Sequence, residues 1–261
     1  MARSTFYYHS KTSLRVDKHA KIKERIKILF AKHKGRYGYR RITLALRQEG
    51  AEYNHKTVYR LMKSLQLESV IRIKKYRSYK GAPGTVADNL LQRQFHAQKP
   101  NEKWVTDVTE FNVSGEKLYL SPILDLYNGE IVAYHTSRSP RFEMVSHMLE
   151  KAFLHLNEHD RPILHSDQGW QYQMSAFQKR LKENKIRQSM SRKGNCLDNA
   201  PMESFFGTLK SECFYLQKFT SIAQLQRAID DYIDYYNRSR IKLKLNGLSP
   251  VNFRNQSVSF P

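Results

Sequence analysis

Three acidic residues occupy positions where their carboxylates could share a metal ion. Asp107 lies in a strand-like run, Asp167 directly follows a short apolar run, and Glu203 falls in the first turn of a helix-like segment. Strands disfavour aspartate, and the burial of a charge is costly. Convergent carboxylates repel each other unless a cation joins them. We therefore predict that these acids are metal ligands and catalytic groups.

The predicted cation is Mg²⁺ or Mn²⁺, because both prefer hard oxygen ligands and accept phosphate oxygens as further ligands. Two such ions, about 3.5–4 Å apart, can activate an attacking oxygen and stabilise a leaving one. This is the chemistry of nucleases, polymerases and strand transferases. Asp125 is the first alternative ligand if one of these three acids does not bind the metal. Glu110 and the acids at 230, 231 and 234 are expected to be solvated.

Several neighbours of the three acids allow two interpretations. Lys210 could contact the DNA backbone or be a solvated helix cation. Asp198 and Asn199 are expected to cap a helix, and a supporting role beside the acids stays open. His165 is expected to be packed rather than a ligand. Both tryptophans, at 104 and 170, are expected in the core rather than as stacking platforms for bases.

Residues 101–213 are predicted to form an α/β (α+β) core with a five-stranded mixed sheet. Asn128-Gly129 is a strong hairpin-turn signal between two strands. Proline at 201 is tolerated in the first turn of the last core helix. The predicted strands are 103–111, 117–126, 130–136, 162–165 and 186–190, and the helices are 142–156, 174–184 and 199–213.

Residues 1–69 are predicted to form a basic helical domain with a helix-turn-helix. Its first helix buries Ile22, Ile26 and Leu29, and Asn54 is the expected N-cap of its third helix. The alternative is a small helical bundle with a solvated basic face. The third helix is predicted to present DNA-contacting side chains from Lys56, Thr57, Arg60 and Lys63.

Charge is concentrated in the first third of the chain. The formal net charge is +21, and residues 1–80 hold 22 Lys and Arg against 5 Asp and Glu. Residues 101–212 hold 14 against 15. A basic region of this kind favours a nucleic acid as the partner, because each neutralised phosphate releases counterions. Together with the helix-turn-helix pattern, it predicts double-stranded DNA as that partner. Residues 70–100 are predicted as a basic linker, and 214–261 as a C-terminal helical tail.

Other bulk features exclude several classes of protein. Two cysteines are too few for a disulfide scaffold. The first residues lack the apolar stretch of a signal peptide, and no run is long enough to span a membrane. A cytoplasmic location is therefore expected.

Three sequence blocks resemble the catalytic motifs of retroviral-integrase-like DDE transposases. These are Thr106-Asp107, the run from His165 to Gly169, and the run from Gly194 to Phe206. The similarity is greatest to OrfB-type transposases of frameshifting bacterial insertion sequences, and 35 residues separate Asp167 from Glu203 as in that family. Gly38-Tyr39-Arg40-Arg41-Ile42 resembles its helix-turn-helix, and 235–240 with 248–250 its C-terminal signature.

The resemblance implies a ribonuclease-H-like core in which the three acids bind metal. It also implies two reactions: water cleaves a phosphodiester at the element's end, and the freed 3′-OH then attacks target DNA. Such enzymes pair two DNA ends, so a homo-oligomer on DNA is expected, in the nucleoid of a bacterial cytoplasm. An upstream module fused by frameshifting is a further expected partner, since this chain lacks leucine heptads.

Two other functions remain open on the sequence. A non-catalytic DNA-binding regulator or inactive transposase remnant would need the helix-turn-helix but not the acids. A nuclease of ribonuclease-H type would cut DNA without joining it. The basic amino-terminal region and the C-terminal signature disfavour the nuclease.

Overall fold

The computed structural model describes residues 3, 17–70, 86–192 and 196–258. The chain divides into two compact units, Met1–Val70 and Ile71–Pro261. Residues 71–85 of the predicted basic linker lie outside the described residues. The domain boundaries predicted at 69, 100 and 213 stay predictions. No helix within the described part of the chain is long and apolar enough to cross a membrane.

The amino-terminal unit is a set of short amphipathic helices. The predicted inner face of the first helix is confirmed, because Ile22, Ile26 and Leu29 are buried. Asn54 caps the third helix as predicted, since its side chain accepts a hydrogen bond of 2.8 Å from the Lys56 N–H. The described helices of this unit are α1 Ala20–Lys32, α2 Tyr39–Gln48 and α3 His55–Ser64.

The second unit is built on a mixed sheet. Strand β3 pairs antiparallel with β1, β2 and β4, while β5 pairs parallel with both β1 and β6. Six strands are described in place of the five predicted. They are β1 Lys103–Thr106, β2 Thr109–Val113, β3 Glu116–Asp125, β4 Ile131–Ser137, β5 Ile163–Ser166 and β6 Arg187–Met190.

The extra strand arises because the predicted strand 103–111 is interrupted at Asp107 and Val108. Strands β1 and β2 both pair with β3, and their common register places Asp107 opposite Pro122. Proline has no N–H to donate to a strand ladder. The regular pairing therefore stops there, and Asp107 follows β1 rather than lying within a strand.

Helices cover both faces of this sheet. Successive strand residues point to opposite faces, so Trp104 packs in one apolar cluster and Val105 in the other. The Trp104 cluster contains the inner faces of α4 Phe142–Phe153 and α5 Ser175–Glu183. The Val105 cluster contains those of α6 Ala200–Glu212 and α7 Ile222–Arg238.

The last described helix is α8 Pro250–Val258. Its Arg254 forms an ion pair of 2.7 Å with Asp125, whose side chain is fully buried, and a second of 2.9 Å with Glu130. Asp125 also accepts the N–H of Asn101 at 2.9 Å. Asp125 thus joins the β3–β4 hairpin to the end of the chain, which leaves it little capacity to bind a cation as the proposed substitute acid.

Candidate active site

Asp107 and Asp167 lie side by side at the carboxyl ends of two neighbouring strands. Each directly follows a strand, β1 or β5, and these two strands are parallel neighbours. Val105 pairs with His165, so the same register continued by two residues sets Asp107 beside Asp167. Neighbouring strands are about 4.8 Å apart. Two carboxylates that are 60 positions apart in sequence are therefore close together.

The two aspartates are held in an environment that disfavours their charge. Burial raises the pKa of Asp107 well above its usual value, and the carboxylates of Asp167 and Glu203 raise it further. Burial also raises the pKa of Asp167. Carboxylates that are crowded in this way gain most from a cation.

Hydrogen bonds fix one oxygen of each aspartate. Asp107 Oδ1 accepts the Val108 N–H at 2.7 Å, and Asp167 Oδ1 accepts the Gly169 N–H at 2.9 Å. A Cβ atom at Gly169 would lie 2.9 Å from Asp167 Oδ1, so a larger residue there would displace the carboxylate. The second oxygen of each carboxylate makes no hydrogen bond within the described part of the chain.

Glu203 lies in the first turn of α6 as predicted, and it is exposed. Its charge acts on Asp107. Among residues 17–70, 86–192 and 196–258, however, no three His, Cys, Asp or Glu side chains are arranged to hold a metal ion. The structure therefore brings the two aspartates together and places the glutamate near them without closing a three-carboxylate cluster.

Lys210, on the same helix as Glu203, is half-buried. Its Nζ lies 5.3 Å from the centre of the Phe111 ring. Burial lowers the pKa of Lys210, while the carboxylates of Glu110 and Asp107 oppose this effect. An ammonium group therefore lies near Asp107, which is where a phosphate close to the acids would need a positive charge.

The predicted DNA-contacting residues of α3 are on the amino-terminal unit. Lys56, Arg60 and Lys63 are exposed and Thr57 is half-buried, while Val58 on the opposite face is buried. This arrangement agrees with an outward basic face, and DNA contact by these residues stays a prediction.

Asn199 is the N-cap residue of α6 as predicted, but neither its side chain nor that of Asp198 caps the helix. The Asn199 side chain makes no cap hydrogen bond on α6; its Nδ2 donates 3.0 Å to the carbonyl of Thr106, directly before Asp107. Asp198 is 1% exposed and binds the side chains of Arg192 and Arg93. The Arg192 and Arg93 side chains lower the pKa of Asp198. Both residues fasten the start of α6 to the rest of the core.

Among the other neighbours, the predictions for His165 and Trp104 are confirmed and the prediction for Trp170 is wrong. His165 is fully buried between the hydroxyls of Ser189 (2.8 Å) and Ser191 (3.1 Å), as expected of a packed histidine. Trp104 is fully buried, but Trp170 is 52% exposed. Trp170 is not a core residue.

Sequence reasoning missed Tyr172. Its ring is 1% exposed. Burial raises the pKa of its hydroxyl well above the usual value, and the carboxylates of Asp107 and Asp167 raise it further. The Tyr172 hydroxyl thus lies close enough to both aspartates for their charges to act on it. Tyr172 lies five positions after Asp167, and no local pattern indicates that its ring reaches back under β1.

The residues present suit a divalent cation. Each aspartate has one oxygen without a hydrogen-bond partner in the described structure, and both are hard ligands of the type that Mg²⁺ prefers. A cation between them would also remove the repulsion that raises the pKa of Asp107.

Family models match three regions of the chain. An integrase core domain matches residues 97–196, a second integrase core model matches 203–258, and an HTH-like domain matches 18–75. The fold and the paired aspartates thus define a protein with an integrase core and a helix-turn-helix-like domain.

Similar proteins of known name identify the family within the proteins that have an integrase core. The putative transposase InsK for insertion sequence element IS150 of Escherichia coli K12 is 58% identical over 98% of this chain and 90% of its own length. An uncharacterised transposase-like protein of Haemophilus influenzae is 56% identical over 84% of this chain and 100% of its length. The transposase InsF for IS3A of E. coli K12 is 34% identical over 88% of this chain and 81% of its own length. The chain belongs to the insertion-sequence transposases, which confirms the predicted family.

Solved retroviral integrases are more distant. A simian T-cell lymphotropic virus intasome in complex with a PP2A regulatory subunit overlaps 77% of this chain and 66% of its own, at a TM-score of 0.48 and 19% identity. The HTLV-2 integrase catalytic core in complex with magnesium overlaps 60% of this chain and 98% of its own, at a TM-score of 0.45 and 18% identity. The predicted α/β core with a preceding helical region is confirmed by the strand order together with the integrase-core and HTH-like family matches.

Proposed function

We propose that this chain cuts and joins DNA at the ends of an insertion sequence, with Asp107, Asp167 and Glu203 as ligands of Mg²⁺ or Mn²⁺. The observation that carries the proposal is the pair of aspartates that directly follow two neighbouring parallel strands, with the pKa of each raised by burial. Glu203 is the third ligand because its charge already acts on Asp107. Its approach to the pair would complete the set.

The reaction has two steps, and in each step a new oxygen replaces the 3′ oxygen bound to a phosphorus atom of the DNA. In the first, a water oxygen forms a bond to phosphorus at the element's end, and the 3′ oxygen leaves and takes up a proton. In the second, the oxygen of that 3′-OH gives up its proton and forms a bond to phosphorus in the target, and the target's own 3′ oxygen leaves and takes up a proton. Two bound ions would activate the attacking oxygen and neutralise the leaving one.

The protein's own groups have separate tasks in this scheme. The aspartates would hold the ions, whose positive charge would position the reacting phosphate, and the Asp167 carboxylate is oriented by the Gly169 N–H. Lys210 neutralises a phosphate next to the acids. On the amino-terminal unit, Lys56, Thr57, Arg60 and Lys63 bind double-stranded DNA and hold the element's end.

Partners follow from the same chemistry. Element ends and target are both double-stranded DNA, and two ends must be brought together, so a homo-oligomer on DNA is proposed. An upstream module supplied by frameshifting is proposed as a further partner for end recognition.

The test is a strand-transfer assay with Mg²⁺ or Mn²⁺ on duplexes that carry the ends of element IS150, for which the 58%-identical relative is named. Asp107→Asn, Asp167→Asn and Glu203→Gln are each expected to reduce joining to background, because each removes a ligand charge. DNA binding in a mobility-shift assay should change little. Glu183→Gln, an exposed acid on α5, is the matched control and should join normally.

Three results would contradict the proposal in different ways. Full activity of Asp167→Asn would mean that the ligands are wrongly assigned. Binding without cleavage or joining by the unaltered chain would favour the regulator or inactive remnant. Cleavage without any joining would favour the nuclease.

A further inference from the structure

Trp170 is a large aromatic side chain exposed beside the candidate active site. It is 52% exposed, and it follows Asp167 by three positions. Its neighbours in sequence are Gly169 and the glutamines at 168, 171 and 173, so the indole is surrounded by polar residues along the chain. An isolated exposed apolar residue is common in proteins, and only its setting can indicate a role.

The turn that carries Trp170 is held rigidly. Gln168 Nε2 donates 3.0 Å to the Ser191 carbonyl, and the Tyr172 N–H donates 3.0 Å to the Gly169 carbonyl. Gln171 is 7% exposed, and its Nε2 donates 3.3 Å to the Pro140 carbonyl. The backbone beneath the indole is thus fixed before any ligand arrives, which lowers the entropic cost of binding.

The same turn sets the distance from Trp170 to the acids. Gly169 packs so closely on Asp167 that a Cβ atom there would lie 2.9 Å from Oδ1. Since consecutive Cα atoms are 3.8 Å apart, the Trp170 Cα lies within about 8 Å of that oxygen. A DNA strand advances about 3.4 Å per nucleotide. The indole is therefore within reach of bases about two nucleotides from a phosphate at the acids.

We propose that Trp170 stacks on an unpaired nucleobase within about two nucleotides of the phosphodiester under attack. The inference rests on the proposed function, because the carboxylates locate the reacting phosphate. An indole offers a flat face that any base can cover, so the contact tolerates any sequence. The base must leave the duplex stack, at the element's end or in the target, and both sources present the same chemistry.

Photocrosslinking tests the contact without catalysis. The full chain is bound in Ca²⁺ to duplexes with the IS150 end, each with one iodouracil, which cross-links to a stacked aromatic side chain under light. One series moves the iodouracil along the element's end and a second moves it across the target. Adducts on Trp170 are expected from one or two adjacent positions in one series, and that series identifies the source of the base.

Substitutions separate stacking from folding. Trp170→Ala is expected to abolish the adduct and to slow joining by about tenfold or more, the size of one base–aromatic stack. Trp170→Phe should restore most of the joining rate because it keeps an aromatic face. Tyr215→Ala is the matched control: this aromatic is 70% exposed beyond the far end of α6, and its loss should change neither readout.

The inference is overturned if bound DNA gives no Trp170 adduct at any position, or if Trp170→Ala joins at the normal rate. Failure of the proposed function gives a different result. If the unaltered chain does not join DNA but Trp170 still cross-links at one or two positions, the contact stands without the reaction. If joining is normal and the adduct is absent, only the inference fails.

Discussion

Asn199 connects the two segments that carry Asp107 and Glu203. Its side chain is 4% exposed and donates a 3.0 Å hydrogen bond to the Thr106 carbonyl. Asn199 directly precedes α6, and Thr106 directly precedes Asp107. This hydrogen bond therefore ties the end of β1 to the start of the helix with the third acid.

Asn199→Ala is expected to impair joining more than folding. Loss of one buried hydrogen bond destabilises a protein by about 1–2 kcal/mol, while misplacement of Glu203 should raise the Mg²⁺ concentration needed for half-maximal joining by about tenfold, since small displacements of catalytic groups have large effects. Joining rates across a Mg²⁺ titration, with thermal unfolding alongside, measure both effects.

Asn184→Ala is the control. Its side chain also donates to a backbone carbonyl, that of Arg180 at 2.9 Å, but at the end of α5. If both variants had the same Mg²⁺ requirement, Asn199 would be a structural residue only.

The local sequence could not reveal these residue roles. Asn199 and Asp198 match a helix-cap pattern, yet the Asn199 Nδ2 bonds Thr106, which is 93 positions away. Tryptophan is a residue type that is usually well buried. The exposure of Trp170 depends instead on how the turn after β5 folds. Such side chains are directed by tertiary contacts, which a local pattern does not contain.

Helix α6 is also fastened at its far end. Glu212, its last residue, forms two hydrogen bonds with the guanidinium of Arg240, at 2.6 and 2.8 Å. Tyr232, on α7, donates a third to the same carboxylate at 3.0 Å. The Glu212 and Arg240 side chains are each 8% exposed. Helix α7 and the segment that directly follows it thus hold the end of the helix that carries Glu203.

Arg240→Met is expected to destabilise the second unit by about 3–5 kcal/mol, because it leaves the buried Glu212 charge without a partner. Arg240→Met combined with Glu212→Leu should recover much of this loss, since no unpaired charge remains. Urea unfolding followed by tryptophan fluorescence measures the effect, and both tryptophans lie in this unit.

Arg238→Met provides the comparison on the same stretch of chain. Arg238 pairs with Asp234 on the surface of α7, where both side chains are largely exposed. Its loss should change stability by less than about 0.5 kcal/mol. Equal losses for Arg238→Met and Arg240→Met would rule out a special contribution from the buried pair.

At the level of elements, periodicity predicted most of the helices and strands. The inner face of α1 and the capped start of α3 follow from side-chain spacing alone. The break after β1 did not, because its cause is Pro122 on the opposing strand. Nor did the sequence indicate that β1 and β5 are parallel neighbours, which is the feature that pairs the two aspartates.

The excess positive charge and the three candidate acids lie in different parts of the chain. Residues 1–80 hold a large excess of cations, whereas residues 101–212 have nearly equal numbers of cations and acids. Such a division suits a protein that binds the DNA backbone with one part and brings acids to a phosphate with another. The acids can approach a polyanion only if cations nearby offset their repulsion.

Replacement of Lys56, Arg60 and Lys63 by glutamine should weaken DNA binding and flatten its salt dependence. Each lost phosphate contact reduces the slope of log affinity against log salt by about 0.9. Binding measured from about 50 to 200 mM salt gives the slope. Glutamine at the exposed lysines 179, 182 and 185 removes the same charge from the second unit, and a similar flattening there would refute the assignment to α3.

The central claim is that Asp107, Asp167 and Glu203 bind the same cations. With ascorbate and hydrogen peroxide present, Fe²⁺ in place of Mg²⁺ generates hydroxyl radicals that cut the backbone beside the bound ion. With DNA bound, cuts are expected next to all three acids together, and Asp167→Asn should abolish all three. Cuts at 107 and 167 without one near 203, or cuts elsewhere in the chain, would contradict the shared site.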